Sequence, residues 1–174
     1  MRTLQEQLSK YAAYHRDRRN IATHFVGIPM IVFGTAAILA RPSVMLGSVP
    51  LSPSLLLTLG AVGFYLALDL GYGIAMTGFM GLALWTGVHL AAQSTALWLT
   101  VSLGLLVAGW AIQFIGHAFE GKKPAFVDDL VGLLIGPLFI VAEAGFACGL
   151  RNELRETIEE KVGPTHIRRA AVSS

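Results

Sequence analysis

The stretch Leu97-Trp-Leu-Thr-Val-Ser-Leu-Gly-Leu-Leu-Val-Ala-Gly-Trp-Ala-Ile-Gln113-Phe-Ile-Gly-His117-Ala-Phe-Glu120-Gly-Lys-Lys-Pro124-Ala125 is a long apolar run that closes on a polar patch. Up to Gly116 it carries no formal charge, the composition of a helix that crosses a membrane. Its end places Gln113, His117 and Glu120 at helical positions i, i+4 and i+7, so an amide, an imidazole and a carboxylate share one face. A histidine and a carboxylate three apart on a helix is a spacing that helical metal sites use. The same groups also suit a plain polar helix end at a membrane surface.

The absence of charge extends far upstream. From Pro42 to Gly116 the one formally charged side chain is Asp69, and His89 is the other group that titrates near neutral pH. The chain of 174 residues is 54% hydrophobic and 14% charged, with a mean hydropathy of +0.62. Soluble domains carry roughly a quarter charged residues. A charge-free run this long cannot be hidden inside a soluble domain of this size, so it reads as several spans of the lipid bilayer. The net charge of +2 sits at the ends and speaks to membrane orientation, not to nucleic acid, for which no partner role is expected. A single cysteine, Cys148, excludes an internal disulfide and a Cys-rich metal site. No cleavable signal peptide is expected, because the N-terminus is polar and the first apolar run is long enough to span.

The expected architecture is all-α: one integral membrane domain, 1–174, built as a helical bundle. An amphipathic surface helix covers 3–19, with apolar residues at 4, 8, 11 and 12. Four transmembrane helices follow at 21–40, 54–70, 74–91 and 97–117, with a loop from Val44 to Pro53. Residues 126–149 are apolar but interrupted by Gly136-Pro137, which predicts a broken re-entrant hairpin of two half-helices. A charged tail, 151–174, holds a helix to Val162 and then an irregular end. The pairs Gly60 and Gly63, Gly78 and Gly81, and Gly104 and Gly109 predict close helix packing. Arg16, Arg18 and Arg19 before the first span, Lys122 and Lys123 after the fourth, and Arg151, Arg155 and Lys161 in the tail place both termini in the cytoplasm.

That topology sorts the five histidines. His15, His24 and His117 fall at the cytoplasmic boundary, whereas His89 lies about 30 Å away at the other and His166 is in the tail. His15 and His24 are nine residues apart, which on a straight helix at about 100° per residue puts them on opposite faces. They share a metal only if the chain bends between them, and a turn near Asn20 would supply the bend. Asn20, four residues before His24, could orient it. Three neutral imidazoles, with Glu120 as a further ligand or a base, suit iron, manganese or zinc. Gln113, Asn20 and Asp69 are candidates for supporting these groups, and the role of Glu143 stays open. Arg18, Arg19, Lys122 and Lys123 could attract a carboxylate. Readings of another class are a small transporter, or a membrane scaffold without metal. Mid-span positions are almost wholly apolar, which disfavours the transporter.

Two motifs carry a resemblance: Tyr-His-x4-Asn-x3-His-x2-Gly-x-Pro from Tyr14 to Pro29, and Gln-x2-Gly-His-x2-Glu-x3-Pro-Ala from Gln113 to Ala125. Together they resemble the membrane 2-hydroxy fatty acid dioxygenase family, whose fungal member acts in phytosphingosine breakdown at the endoplasmic reticulum. The resemblance covers nearly the whole chain in motif order and hydropathy. It implies an iron(II)-dependent enzyme that uses dioxygen in α-oxidation, shortening a 2-hydroxy fatty acid by one carbon. It also implies essential histidines, carried here by His15, His24 and His117. The expected location is a bacterial inner membrane or the endoplasmic reticulum.

Overall fold

The computed structural model describes residues 2–47 and 49–168. It is an all-α membrane helical bundle, with one small two-stranded addition. The helices are α1 (Leu4–Ala12), α2 (Arg18–Ala40), α3 (Pro53–Leu68), α4 (Leu70–Ala91), α5 (Thr95–Glu120), α6 (Gly132–Ala147) and α7 (Asn152–Val162). Strands β1 (Val44–Leu46) and β2 (Val49–Leu51) pair antiparallel, Val44 opposite Leu51, where a plain loop was expected. At 1.5 Å per residue, α2, α4 and α5 exceed the roughly 30 Å of a bilayer core, and all three are apolar enough to cross it. The second expected span, 54–70, corresponds to α3, which is apolar but only 16 residues long.

The chain divides into two compact units. The first is Gly27–Ala111. Here α3 starts on Ser52, whose hydroxyl accepts the Leu55 amide, and Pro53 fills the first turn. Asp69 ends α3 and caps α4, its carboxylate accepting the Tyr72 N–H at 2.9 Å. Backbones pass closely where glycine removes the side chain. A Cβ on Gly109 would lie 2.9 Å from the Gly27 carbonyl oxygen, and one on Gly34 would lie 3.0 Å from that of Ser102. The expected glycine pairs are corrected: a Cβ on Gly60, Gly63, Gly78, Gly81 or Gly104 would meet no other segment within 4 Å, and only Gly109 of the six marks a close approach. Spacing alone does not distinguish a glycine facing a helix from one facing lipid.

The second unit comprises the described parts of Met1–Val26 and Ile112–Ser174. A reciprocal cap opens α1: Thr3 Oγ1 accepts the Glu6 N–H and the Glu6 carboxylate accepts the Thr3 N–H. Its apolar face, Leu8, Tyr11 and Ala12, packs on α6 and α7. The helix expected over 3–19 stops at Ala12, so the bend falls at residues 13–17 and not near Asn20, which already lies inside α2. The amides of Arg16 and Asp17 bond the Glu120 carboxylate instead of continuing the helix.

The predicted break at Gly136-Pro137 is also corrected. α6 runs through both residues, since Pro137 near its start forfeits a single helical hydrogen bond in a buried, well-packed stretch. The break comes later. Gly149, at φ 76°, closes α6 with Leu150 N–H to Gly145 O and Gly149 N–H to Phe146 O, and Arg151 at φ 55° turns the chain. α7 leaves at 115° to α6.

Residues 163–168 form no helix or strand, but they are tied down. His166 N–H donates to Arg16 O and Arg18 N–H to His166 O, so the segment lies as a short parallel bridge along residues 16–18. Residues 169–174 of the expected tail lie outside the described residues.

Candidate metal centre

His15, His24 and His117 come together. His15 stands in the corner between α1 and α2, His24 in the second turn of α2, and His117 in the last turn of α5. All three are buried, and each offers a ligand nitrogen within 4.8 Å of the others. Among the described residues they are the one group of three or more His, Cys, Asp or Glu side chains so arranged. Tyr11 stacks on the His15 ring at 4.1 Å, nearly parallel, and Phe139 adds an apolar wall 5.5 Å from it.

Two rings are held in a fixed sense. His15 Nδ1 lies 2.8 Å from the Tyr11 carbonyl, and His24 Nδ1 lies 2.8 Å from the Asn20 carbonyl. A carbonyl only accepts, so each Nδ1 carries the proton and each Nε2 presents a lone pair. Those two Nε2 atoms face one another at 3.0 Å. Without a proton or a cation between them the two lone pairs repel. Protonation is opposed at His15, whose pKa is pushed well below the usual imidazole value by burial and then by the nearby His24. A metal ion resolves the conflict, since two nitrogens each about 2.1 Å from one ion lie about 3.0 Å apart at a right angle and about 3.4 Å at a tetrahedral one. The donor set of three neutral imidazoles, two with their outer nitrogens anchored on carbonyls, therefore fits a divalent transition metal.

Glu120 stands next to this group and is occupied. Its Oε2 accepts the Asp17 N–H at 2.8 Å, the Arg16 N–H at 3.0 Å and Asn20 Nδ2 at 3.1 Å, while Oε1 shares the Arg16 N–H at 3.1 Å. Asn20 is fully buried; its carbonyl holds His24 and its amide reaches Glu120. Gln113, one turn before His117, is buried with its Oε1 unpaired. Gly116 makes the arrangement possible, because a Cβ there would collide with Thr23 Oγ1 and sit 2.6 Å from Asn20 Oδ1.

Other candidates fall elsewhere. Asp69 is the α4 cap described above. His89 is exposed with Nδ1 on the Trp85 carbonyl, and His166 is exposed in the tail. Of the four basic residues offered for carboxylate capture, Arg19 pairs with Asp17 at 2.7 Å, Lys123 with Asp128 at 2.6 Å, and Lys122 with the Ala13 carbonyl at 2.7 Å. Arg18 reaches Thr165 at 3.4 Å. Glu143 faces the buried Arg16 guanidinium at 3.8 Å.

Sequence reasoning missed Tyr11 and Asp17. Tyr11 lies four residues before His15, the spacing of a helical neighbour. Asp17 precedes α2 and accepts the Arg19 N–H at 2.8 Å, the pattern of a helix cap.

The chain matches the family model described as 2-hydroxy-palmitic acid dioxygenase Mpo1-like over residues 1–147. It is similar to the 2-hydroxy-palmitic acid dioxygenase MPO1 of Saccharomyces cerevisiae, with 34% identity over 158 residues that cover 90% of this chain and 87% of the yeast protein. No solved structure matches it.

Proposed function

We propose that this chain, which belongs to the Mpo1-like family, is a membrane dioxygenase that removes one carbon from 2-hydroxy fatty acids with an iron(II) held by His15, His24 and His117. The observation that carries the metal reading is the pair of unprotonated Nε2 atoms facing each other at 3.0 Å. All three histidines lie within the residues that the family model matches. The reaction balances without a further reductant: R-CHOH-COOH and O2 give R-COOH, CO2 and water. Bound there, iron(II) would supply the one-electron chemistry that ground-state dioxygen requires.

The protein's own residues have separate tasks in this reading. The Tyr11 and Asn20 carbonyls keep the His15 and His24 rings in the tautomer that leaves Nε2 free. The unpaired Gln113 Oε1 offers an acceptor to the substrate hydroxyl, and filling it removes a cost of about 1–3 kcal/mol for a buried polar atom left alone. Tyr11 and Phe139 keep water from the rings. The substrate's alkyl chain belongs with the apolar helices, and the basic residues near the site favour both termini on the cytoplasmic side.

Metal analysis of the purified protein, with product analysis after incubation with 2-hydroxypalmitate and dioxygen, tests the proposal. The expected result is bound iron and pentadecanoate in the wild type, and neither in His24→Ala or His117→Ala. Full metal occupancy in both variants would remove the metal centre, and zinc as the sole active metal would remove the oxidative chemistry.

A further inference from the structure

Glu120 touches every segment that carries a histidine of the cluster. It lies on α5 one turn after His117. Its carboxylate binds the backbone of Arg16, next to His15, and of Asp17. Through Asn20 Nδ2 it holds the residue whose own carbonyl anchors His24. We propose that Glu120 is a positioning residue, a latch that sets the three imidazoles from one point, and neither a metal ligand nor the proton-transfer group. This rests on the reading of the histidines as ligands.

The hydrogen-bond inventory separates the roles. The carboxylate already receives two backbone N–H groups and one amide, all buried. Turning it toward a metal would strand the buried Arg16 and Asp17 amides without a partner. The same two bonds stop α1 at Ala12 and create the corner that brings His15 round to His24. An acceptor oxygen at this point is therefore a condition for the site to exist, and three of the four contacts converge on a single oxygen. A glutamine can supply that one oxygen. It can supply neither an anionic ligand nor a base.

The test uses the full-length protein in detergent: wild type, Glu120→Gln, Glu120→Ala and His24→Ala. The readouts are affinity for iron(II) and cobalt(II) by equilibrium dialysis, the visible absorption of the cobalt form, and turnover at saturating iron. Glu120→Ala should weaken metal binding by about 10- to 100-fold and alter the cobalt spectrum. Glu120→Gln should weaken it by less than about tenfold, keep the wild-type spectrum, and retain most turnover once iron is saturating. Wild-type affinity and spectrum in Glu120→Ala would overturn the latch. Loss of turnover in metal-saturated Glu120→Gln would overturn it in favour of a ligand or base, even if Glu120→Ala does not fold. Unchanged metal binding in His24→Ala is a different result, which removes the metal centre itself.

Discussion

Both units bury polar side chains, but of different kinds. Among the described residues of Gly27–Ala111 the buried polar ones are Ser52, Ser54, Thr58 and Ser102, all uncharged hydroxyls. The other unit buries Gln7 and Ser9 and, beyond them, the titratable or amide-bearing His15, Arg16, Asp17, Asn20, His24, Gln113, His117 and Glu120. The first unit leaves large apolar side chains such as Leu56, Ile74, Leu82 and Val107 uncovered, as lipid-facing helices do. Its helices meet through small residues, because lipid supplies no hydrophobic drive for them to associate. The second unit pairs most of its polar groups, Glu120 with the Arg16 and Asp17 amides and Asp17 with Arg19, and leaves Gln113 Oε1 unpaired. A transporter would need polar groups along the first unit, and the buried hydroxyls there are too few and too neutral for that.

Glycine substitution breaks this comparison most sharply. At Gly116 a methyl group would strike Thr23 Oγ1 and Asn20 Oδ1, so Gly116→Ala should destabilise by about 1–3 kcal/mol and lower metal affinity as well. Gly109→Ala meets the Gly27 carbonyl and should cost a similar amount while leaving the metal affinity of the folded fraction intact. Gly104→Ala meets nothing and should stay within about 1 kcal/mol of wild type, alanine being the better helix former. Thermal unfolding in detergent beside cobalt titration separates the three. Equal loss of metal affinity in Gly109→Ala and Gly116→Ala would mean that the two units are not energetically distinct.

Acid gives a somewhat smaller effect, confined to the polar unit. Burial holds the His15 pKa below its unfolded value, so on acidification the unfolded chain takes up a proton first. Stability is full above about pH 6.5 and falls by about 1.4 kcal/mol per unit as pH drops from there toward the folded pKa. Metal-free protein should therefore melt progressively lower from pH 7 to pH 5.5, and His15→Leu should flatten that slope. A slope unchanged in His15→Leu would assign the effect to another group.

The sequence made the bundle readable because charge is excluded from lipid, and a run from Pro42 to Gly116 broken only by Asp69 admits few folds. It made the three histidines readable because span order and basic residues put them at one boundary. It could not give the corner at 13–17. Residues Tyr14 to Arg19 continue a helix as well as they end one, and what ends it is a carboxylate about a hundred residues later. For the same reason helical spacing placed Glu120 beside His117 without revealing that the Arg16 and Asp17 amides bind its carboxylate: it shows which groups share a face, not which donors occupy them. Pro137 misled in the opposite direction, since a proline early in a buried helix is tolerated where packing holds both sides.

The smallest effect concerns the tail, expected as a charged helix and then an irregular end. His166 contributes through its backbone: its N–H donates to Arg16 O at 2.9 Å and its carbonyl receives the Arg18 N–H at 2.8 Å, while the imidazole is exposed. His166→Pro removes the donor and should cost about 1 kcal/mol. His166→Ala keeps both backbone bonds and should cost less than about 0.5 kcal/mol, with metal affinity unchanged. Arg168 donates its backbone N–H to the Asp17 carboxylate and its guanidinium to the Glu120 carbonyl, so Arg168→Ala keeps the first bond, loses the second and should cost about 0.5–1.5 kcal/mol. If His166→Ala instead lowers metal affinity while His166→Pro changes nothing beyond it, the fifth histidine is acting through its ring, and the corner is fastened by Glu120 alone.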